Sequence, residues 1–520
     1  MNSQKFILIL LANSNFHYIT LNMHKLDKKN FKISFVLLCL FLFLKPAKSL
    51  SQADQSSNEY LKDSTINYIE IQGFAGSATR TPFWIQSNQY GTVSKTTPAG
   101  SIRGGLEKFA SLNEKNTWRV GGGVEAVGNF TQQGSKLLLP QAYGSLRFKN
   151  WEFFIGRKKQ YVGLADSTLG TGSYSWSTNA LPIPKIQIGT RGFVNVPFTK
   201  GWLSFNAFYS EGLFENNRPV TSNLKLHQKT FYARIGKSAS RVKLYGGFNH
   251  QVQWGGSSPY NTVDGKMPTG FRNYIYVITG QAHSKNPGVN DNTGRVGNHL
   301  GSVDLGLEID TYSTNIFLYR QSIYEDGSLI WLSNIKDGLN GIRLKRKNSY
   351  GANFEITTFV FEFLYTKNQG GNIADWGLPS WARGKDDYFN NGQVHDGWSY
   401  YGRAIGSPFI PPTSDTQWKR PNYADFFTSN NRVSVFHVGL NGTLLQKVVW
   451  MSKLSYSSNL GTYEQPFFDT ATQFSGIIAL QTRLNILGGT FIKGSLAADI
   501  GDLYPKNYGF TLGLRKDFSF

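Results

Sequence analysis

The chain has 520 residues, 55 of them Gly, with 15% aromatic residues and a formal net charge of +21. Mean hydropathy is −0.32, and beyond residue 50 no apolar run reaches the roughly 20 residues of a membrane-spanning helix. A helical membrane protein is thereby excluded, whereas an antiparallel barrel hides its apolarity in alternation and shows this bland average.

The one continuous apolar stretch lies near the start. Lys25, Lys28, Lys29 and Lys32 precede Ile33–Leu44, and Pro46, Ala47, Lys48 and Ser49 follow. A basic region, about a dozen apolar residues and a small-residue end describe a secretory signal peptide and are too short for a comfortable span. Met23 is the more natural start, because Met1–Asn22 puts a second apolar run, Phe6–Ala12, ahead of the signal. The expected organisation is therefore signal and mis-started N-terminus over 1–49, a short periplasmic segment over 50–64, and a barrel over 65–520. Cys39, the single cysteine, sits in the apolar core with no small residue before it, which speaks against a lipoprotein site. Its removal leaves no disulfide or thiolate chemistry. Removing the seven Lys and one Asp of residues 1–49 lowers the charge from +21 to +15. A basic exported chain suits acidic partners, anionic polysaccharide or lipopolysaccharide phosphates, and equally a merely solvated basic surface.

From Thr65–Ala75 onward, period-2 segments recur to a total of 18, an even number as a single-chain bacterial barrel requires. They include Gln141–Phe148, Ile186–Val196, Arg432–Leu440, Leu444–Tyr456 and Phe474–Leu484, and they close with Tyr508–Phe520. In that last segment Phe510, Leu512, Leu514, Phe518 and Phe520 share one face and Thr511, Gly513, Arg515, Asp517 and Ser519 the other. The pattern predicts an all-β fold, a transmembrane antiparallel β-barrel of about 18 strands, with apolar side chains to lipid and polar ones to the lumen. Connections alternate in length. Short ones include Lys149–Asn150, Thr311–Thr314 and the Asn441–Gly442 hairpin signal; long ones include Gly76–Gly100, Lys159–Lys185, Gly255–His299, Lys367–Asn431 and Ser457–Gln473. Long external loops opposite short periplasmic turns are a property of outer-membrane barrels and place the odd-numbered connections outside the cell.

Lys367–Asn431 is the most unusual segment. It holds Trp376, Trp381, Trp398, Tyr388, Tyr400 and Tyr401, with Arg383, Asp386, Asp387 and Arg403 among them. Indole and phenol faces stack on sugar rings, while Asp and Arg bond hydroxyls and carboxylates. These ten residues are the candidate glycan-binding set. Loops beyond about 15 residues are uncommon unless functional or disordered, and this one is too aromatic to be disordered. Two compatible readings follow: direct glycan contact, or a self-packed lid or plug. Asp386 and Asp387 are adjacent, so on a strand they would point apart, and the neighbouring Arg383 and Lys385 favour a salt-bridged role over paired acid–base catalysis. The His residues show no metal-ligand spacing, so no metal or cofactor is expected.

Three stretches resemble a known family. They are Pro82–Gly91 (PFWIQSNQYG), Gly156–Pro184 (GRKKQYVG to STNALPIP) and Asp386–Phe409 (DDYFNNGQVHDGWSYYGRAIGSPF). Together they are similar to the capsule assembly Wzi proteins of the outer membrane, in their Bacteroidetes form. The resemblance implies an 18-stranded barrel that is not an enzyme, a surface lectin holding capsular polysaccharide to the cell outer membrane. It also implies a small periplasmic helical bundle, for which Leu50–Ser64 is too short and Gly76–Gly100 is the candidate counterpart. The expected partners are capsular or exopolysaccharide of acidic type and outer-membrane lipid with lipopolysaccharide, with no nucleic acid and a monomeric chain. The alternatives are a diffusion channel, with Arg234, Arg241, Lys243 and Lys493 facing the lumen, and a surface hydrolase, which needs two carboxyl groups about 5–9 Å apart across a cleft.

Overall fold

A computed structural model describes residues 7–12, 15–20, 66–281, 295–325, 328–372, 384–417, 426–486 and 488–518. The chain divides into two compact units, Met1–Leu50 and Ser51–Phe520. In the first, β1 (Ile7–Ala12) and β2 (Asn15–Thr20) form an antiparallel hairpin. The run Ile33–Leu44 of the expected signal peptide and the segment 50–64 lie outside the described residues.

The second unit is a closed antiparallel barrel. Its first strands are β3 (Ile66–Gly76), β4 (Ala99–Ser111), β5 (Trp118–Thr131), β6 (Gly134–Phe148), β7 (Trp151–Arg157), β8 (Lys185–Thr190) and β9 (Val194–Asn195). Then come β10 (Leu203–Leu213), β11 (Lys225–Ile235), β12 (Val242–Trp254), β13 (Asn298–Asp310), β14 (Thr314–Tyr324), β15 (Gly338–Arg346) and β16 (Phe354–Tyr365). A small hairpin outside the wall, β17 (Ser399–Tyr400) with β18 (Arg403–Ala404), precedes β19 (Val433–Leu444), β20 (Val448–Gly461), β21 (Pro466–Leu484), β22 (Thr490–Gly501) and β23 (Asn507–Phe518). β8 and β9 both pair with β10 and are one strand interrupted around Gly192, so the wall has 18 strands. β23 pairs with β3 and closes the cylinder, with Phe518 opposite Asn67. Both ends of the wall therefore meet at the end that carries the short turns.

Alternation sorts the side chains as the pattern predicts. On β23 Tyr508, Phe510, Leu512 and Leu514 are exposed on the outer wall and Thr511 is buried inside. On β11 Phe231 and Ile235 face out, while Thr230, Tyr232 and Arg234 are buried in the lumen. Lys243 and Lys493 also face inward, in ion pairs with Glu308 and Glu70. Arg241 precedes β12 and is exposed in the turn.

Three expected boundaries move. β6 begins at Gly134 rather than Gln141, because Pro140 falls at a register shift in the β5–β6 pairing, where no ladder hydrogen bond is needed from it. β21 begins at Pro466, so the expected long connection Ser457–Gln473 shrinks to residues 462–465. Asn441–Gly442 is not a turn but lies inside β19; the chain reverses at 445–447, with Leu445 and Gln446 at φ 52° and 55°. Gly442 is required where it is because the β16–β19 pairing shifts register at Ile356, and a Cβ at Gly442 would overlap the Glu355 carbonyl oxygen.

Candidate functional site: a filled lumen and its outer rim

The connection 158–184 leaves β7 and turns into the barrel rather than away from it. Inward-facing side chains receive it one by one. Asp304 of β13 accepts from the Leu164 amide (3.0 Å), and Glu362 of β16 accepts from the Thr171 amide and hydroxyl (2.5 and 2.6 Å). Gln321 of β14 accepts from the Tyr174 amide (3.0 Å). Gln251 of β12 donates to the Ser175 carbonyl (2.7 Å), and Nε2 of His437 on β19 donates to the Leu169 carbonyl (2.6 Å). Lys453 of β20 donates to the Gly170 carbonyl (3.3 Å). A buried backbone must find partners for its polar groups, and here the lumen wall supplies them.

The connection 77–98 fills the other side. It lies at the barrel end opposite Ile66 and Phe518, so it is a loop-end element and not the counterpart of a periplasmic bundle. Its short helix Phe83–Gln86 is fully buried. Asp499 of β22 accepts from the Phe83 amide (2.8 Å) and pairs with Arg80 (3.0 Å), and the Trp84 indole donates to Ser455 of β20 (3.1 Å). Asn129 of β5 donates to the Thr92 carbonyl (2.8 Å). Phe83, Trp84 and Phe409 pack ring to ring, which joins this loop to the long one.

Residues 384–417 lie over these two connections and share their core. Ser407 donates its amide to the Tyr174 carbonyl, and Ser177 donates to the Ile405 carbonyl. Asp396 is the anchor on the other flank. Its carboxylate accepts from the Thr221 amide and hydroxyl (both 2.7 Å), the Val220 amide (3.1 Å) and Arg218 (3.3 Å), with both charged side chains almost wholly buried. His395 stacks on Tyr260, centroids 3.8 Å apart.

The candidate residues divide sharply against this background. Trp376, Trp381 and Arg383 lie outside the described residues. Tyr388, Trp398 and Tyr400 are packed in the core, their ring faces against protein. Tyr388 donates to Asp337 (2.8 Å), whose carboxyl is pushed up to about 6 by burial despite the amides of Asn368 and Gln369 pointing at it. Asp386 accepts from the Ser328 hydroxyl (2.7 Å), and Asp387 from Asn390 (3.1 Å) and Asn431 (2.5 Å). Lys385 pairs with Glu464. Arg403 is buried and donates to Gln86 (3.0 Å) and the Val93 carbonyl (2.6 Å); burial pulls its guanidinium down to about 10.

Tyr401 is the exception. It forms the tip of the β17–β18 hairpin with Gly402, at φ 47°, and its side chain is 38% exposed. Glu215 accepts from its amide (2.7 Å) and fixes the turn. Two cations stand over the ring: the Arg157 guanidinium at 5.9 Å and the Lys136 ammonium at 5.8 Å. Arg157 also donates to the Tyr400 hydroxyl (2.9 Å). An exposed ring flanked by cations offers a stacking face for a pyranose and counter-charges for its carboxylate. Lys136 and Arg157 were not among the candidates. Arg157 stands in the Gly156–Pro184 stretch, whereas nothing in spacing relates residues 136 and 157 to 401.

Among the described residues no group of three or more His, Cys, Asp or Glu is arranged to hold a metal ion.

The family profile described as Capsule assembly protein Wzi matches residues 67–436. None of the curated proteins matches the chain. Among solved structures it is similar to Wzi of Escherichia coli, an outer membrane protein involved in group 1 capsule assembly and a carbohydrate-binding β-barrel. Identity there is 16% and the TM-score 0.53, over 87% of this chain and 85% of that one. OccAB4 of Acinetobacter baumannii follows at 8% identity and TM-score 0.44, over 88% and 100% of the two chains. OccK3 of Pseudomonas aeruginosa is at 10% and 0.43, over 88% and 97%.

Proposed function

The chain belongs to the Wzi capsule assembly family of outer-membrane β-barrels, and from that premise we propose that it binds acidic surface polysaccharide at its loop end and holds it to the outer membrane without cleaving it. Tyr401 carries the reading. It is the candidate aromatic among the described residues that keeps an exposed face, and it is held rigidly with Arg157 and Lys136 beside it. Sugar C–H groups stack on the phenol ring while uronate carboxylates meet the cations. A preformed, immobile site loses little conformational entropy on binding.

A holding rather than hydrolytic role is supported by Asp386 and Asp387, whose carboxylates accept hydrogen bonds from Ser328, Asn390 and Asn431 within the loop. The signal peptide read over Lys25–Ser49 fits export to this location, and the lipopolysaccharide contacts and monomeric state read from the resemblance are part of the same proposal.

The test is binding of the host's purified capsular polysaccharide to the detergent-solubilised full chain. Tyr401→Ala and Arg157→Gln should each weaken binding several-fold, by a smaller factor at high salt for Arg157→Gln, with the folded barrel retained. Wild-type affinity in both variants sinks the assignment of this site.

A further inference from the structure

The outer wall of β10–β13 carries a polar cluster at a height where lipid would be expected. Glu211, His227 and His250 each stand ninth from the turn-end residue of their strands, counted from Leu203, Ile235 and Val242, and His299 stands eleventh from Ile309. All four are on the outward face. A transmembrane strand needs about 9–11 residues to cross the hydrocarbon, so the cluster sits at the outer edge of the apolar belt formed below it by Phe231, Phe248, Val303 and Leu305.

It is not left facing lipid. The helix Phe271–Thr279, from the connection between β12 and β13, lies against it. Tyr274 donates to Glu211 (2.5 Å), His227 donates Nδ1–H to the same carboxylate oxygen (2.6 Å), and Lys229 donates to the Ile278 carbonyl. His299 donates Nε2–H to the Val296 carbonyl (3.1 Å), which leaves its Nδ1 to accept from His250 (2.9 Å). Val277 of the helix packs with Val252 and Trp254 of the wall. The opposite face of the helix shows Phe271, 79% exposed, and Ile275, 40% exposed.

The next loop repeats the arrangement. Arg320, outward on β14, donates to Asn340 (2.7 Å) and to the carbonyls of Ile335 and Asp337, which ties the end of the loop 328–336 to the outer wall, while its buried Ser328 and Asn334 bond to Asp386 and Tyr388 behind it. That loop exposes Ile330 at 68% and Leu332 at 60%. Twice, then, a polar group on the outer wall is bonded from above by a loop element whose far side is apolar.

We propose that the helix Phe271–Thr279 and the loop 328–336 form a membrane-interface collar over β10–β15, with Phe271, Ile275, Ile330 and Leu332 inserted among the acyl chains of the outer leaflet. The occupant follows from continuity: the exposed side chains extend the lipid-facing belt upward past the polar cluster. An amphipathic helix lying in the interface plane with its apolar face in the acyl boundary is a stable arrangement, and covering Glu211, His227, Lys229 and Arg320 removes the cost of charged groups on a lipid face.

Depth-dependent quenching tests the collar. Single cysteines at Phe271, Ile275 and Leu332, in a Cys39→Ser background, carry an environment-sensitive fluorophore on the full chain. The protein is reconstituted in phosphatidylcholine vesicles bearing nitroxides at chosen depths along the acyl chain. Leu305 on the belt is the membrane control, and Gln132 at the tip of the β5–β6 hairpin is the water control. The collar labels should be quenched by shallow nitroxides nearly as strongly as Leu305 is by deep ones, and several-fold more than Gln132. Quenching at Phe271 and Ile275 no greater than at Gln132 overturns the proposal, whether water or a second copy of the chain covers the helix. Quenching there but not at Leu332 removes the loop's share of it.

Discussion

Asp396 shows how one side chain can hold a long loop. It lies 178 residues from Arg218, yet the two meet with almost no solvent access, and the carboxylate also accepts the amides of Val220 and Thr221. Breaking a buried pair by removing one partner costs about 3–5 kcal/mol, because the remaining charge is left uncompensated. Asp396→Ala should therefore free the described part of the long loop to protease, read as cleavage within 384–417 with the barrel core intact. Asp337 sets a pH dependence. Its folded carboxyl titrates near 6, above its ordinary value of 3.8. The closed loop thus binds a proton that the open loop has released in the window between them. Closure is favoured as pH falls through about 6 and weakens as pH rises to that value, with no further change above it. Protease protection of the loop should be greater at pH 5 than at pH 7.5, and the difference should vanish in Asp337→Asn measured beside it. Tyr401→Ala loses one edge-to-face contact, with the Tyr400 ring at 4.8 Å between centroids, so it should cost about 0.5–1.5 kcal/mol of stability and leave the barrel folded for the binding measurement.

At the level of elements, β19 shows that turn chemistry is read through its neighbours. Asn-Gly favours a two-residue hairpin, but here Gly442 serves the close approach of β16 at a bulge, and Leu445 and Gln446 take the left-handed conformations of the turn. Gly442→Val should prevent closure of this strand pair, read as loss of the folded, heat-modifiable band in semi-native electrophoresis, while Asn441→Ser should leave it. The connection 158–184 is the converse case. Its Ser, Thr and Gly residues have no strand or helix periodicity, and they suit a backbone that must accept hydrogen bonds from Gln251, His437 and Lys453 in a filled lumen.

For the molecule as a whole, the barrel's interior polarity serves its loops rather than a pore. Side chains from β4, β5, β12 to β14, β16, β19, β20 and β22 are bonded to inserted connections. The wild-type barrel in a planar bilayer should show no steady conductance, and a chain lacking residues 163–177 should show it. Strand count and face alternation were legible in the sequence, because period 2 is a local property of neighbouring residues; the alternation of connection lengths held only in part, since the loop-end connections 132–133, 462–465 and 502–506 are as short as the turns. The direction taken by the long loops was not. Trp398 and Tyr400 read alike as stacking faces and as core, and only tertiary packing, with Phe214 of the 214–224 connection against Tyr400, buries both.

What the sequence determined by itself is the cylinder. Phe510, Leu512 and Leu514 must face an apolar medium and Thr511 must not, whatever the rest of the chain does. What tertiary structure decided is which aromatic remains available outside. Tyr401 and Arg157 come together because Glu215 fixes a hairpin tip beside the end of β7, and such a meeting of residues far apart in sequence leaves no periodic trace.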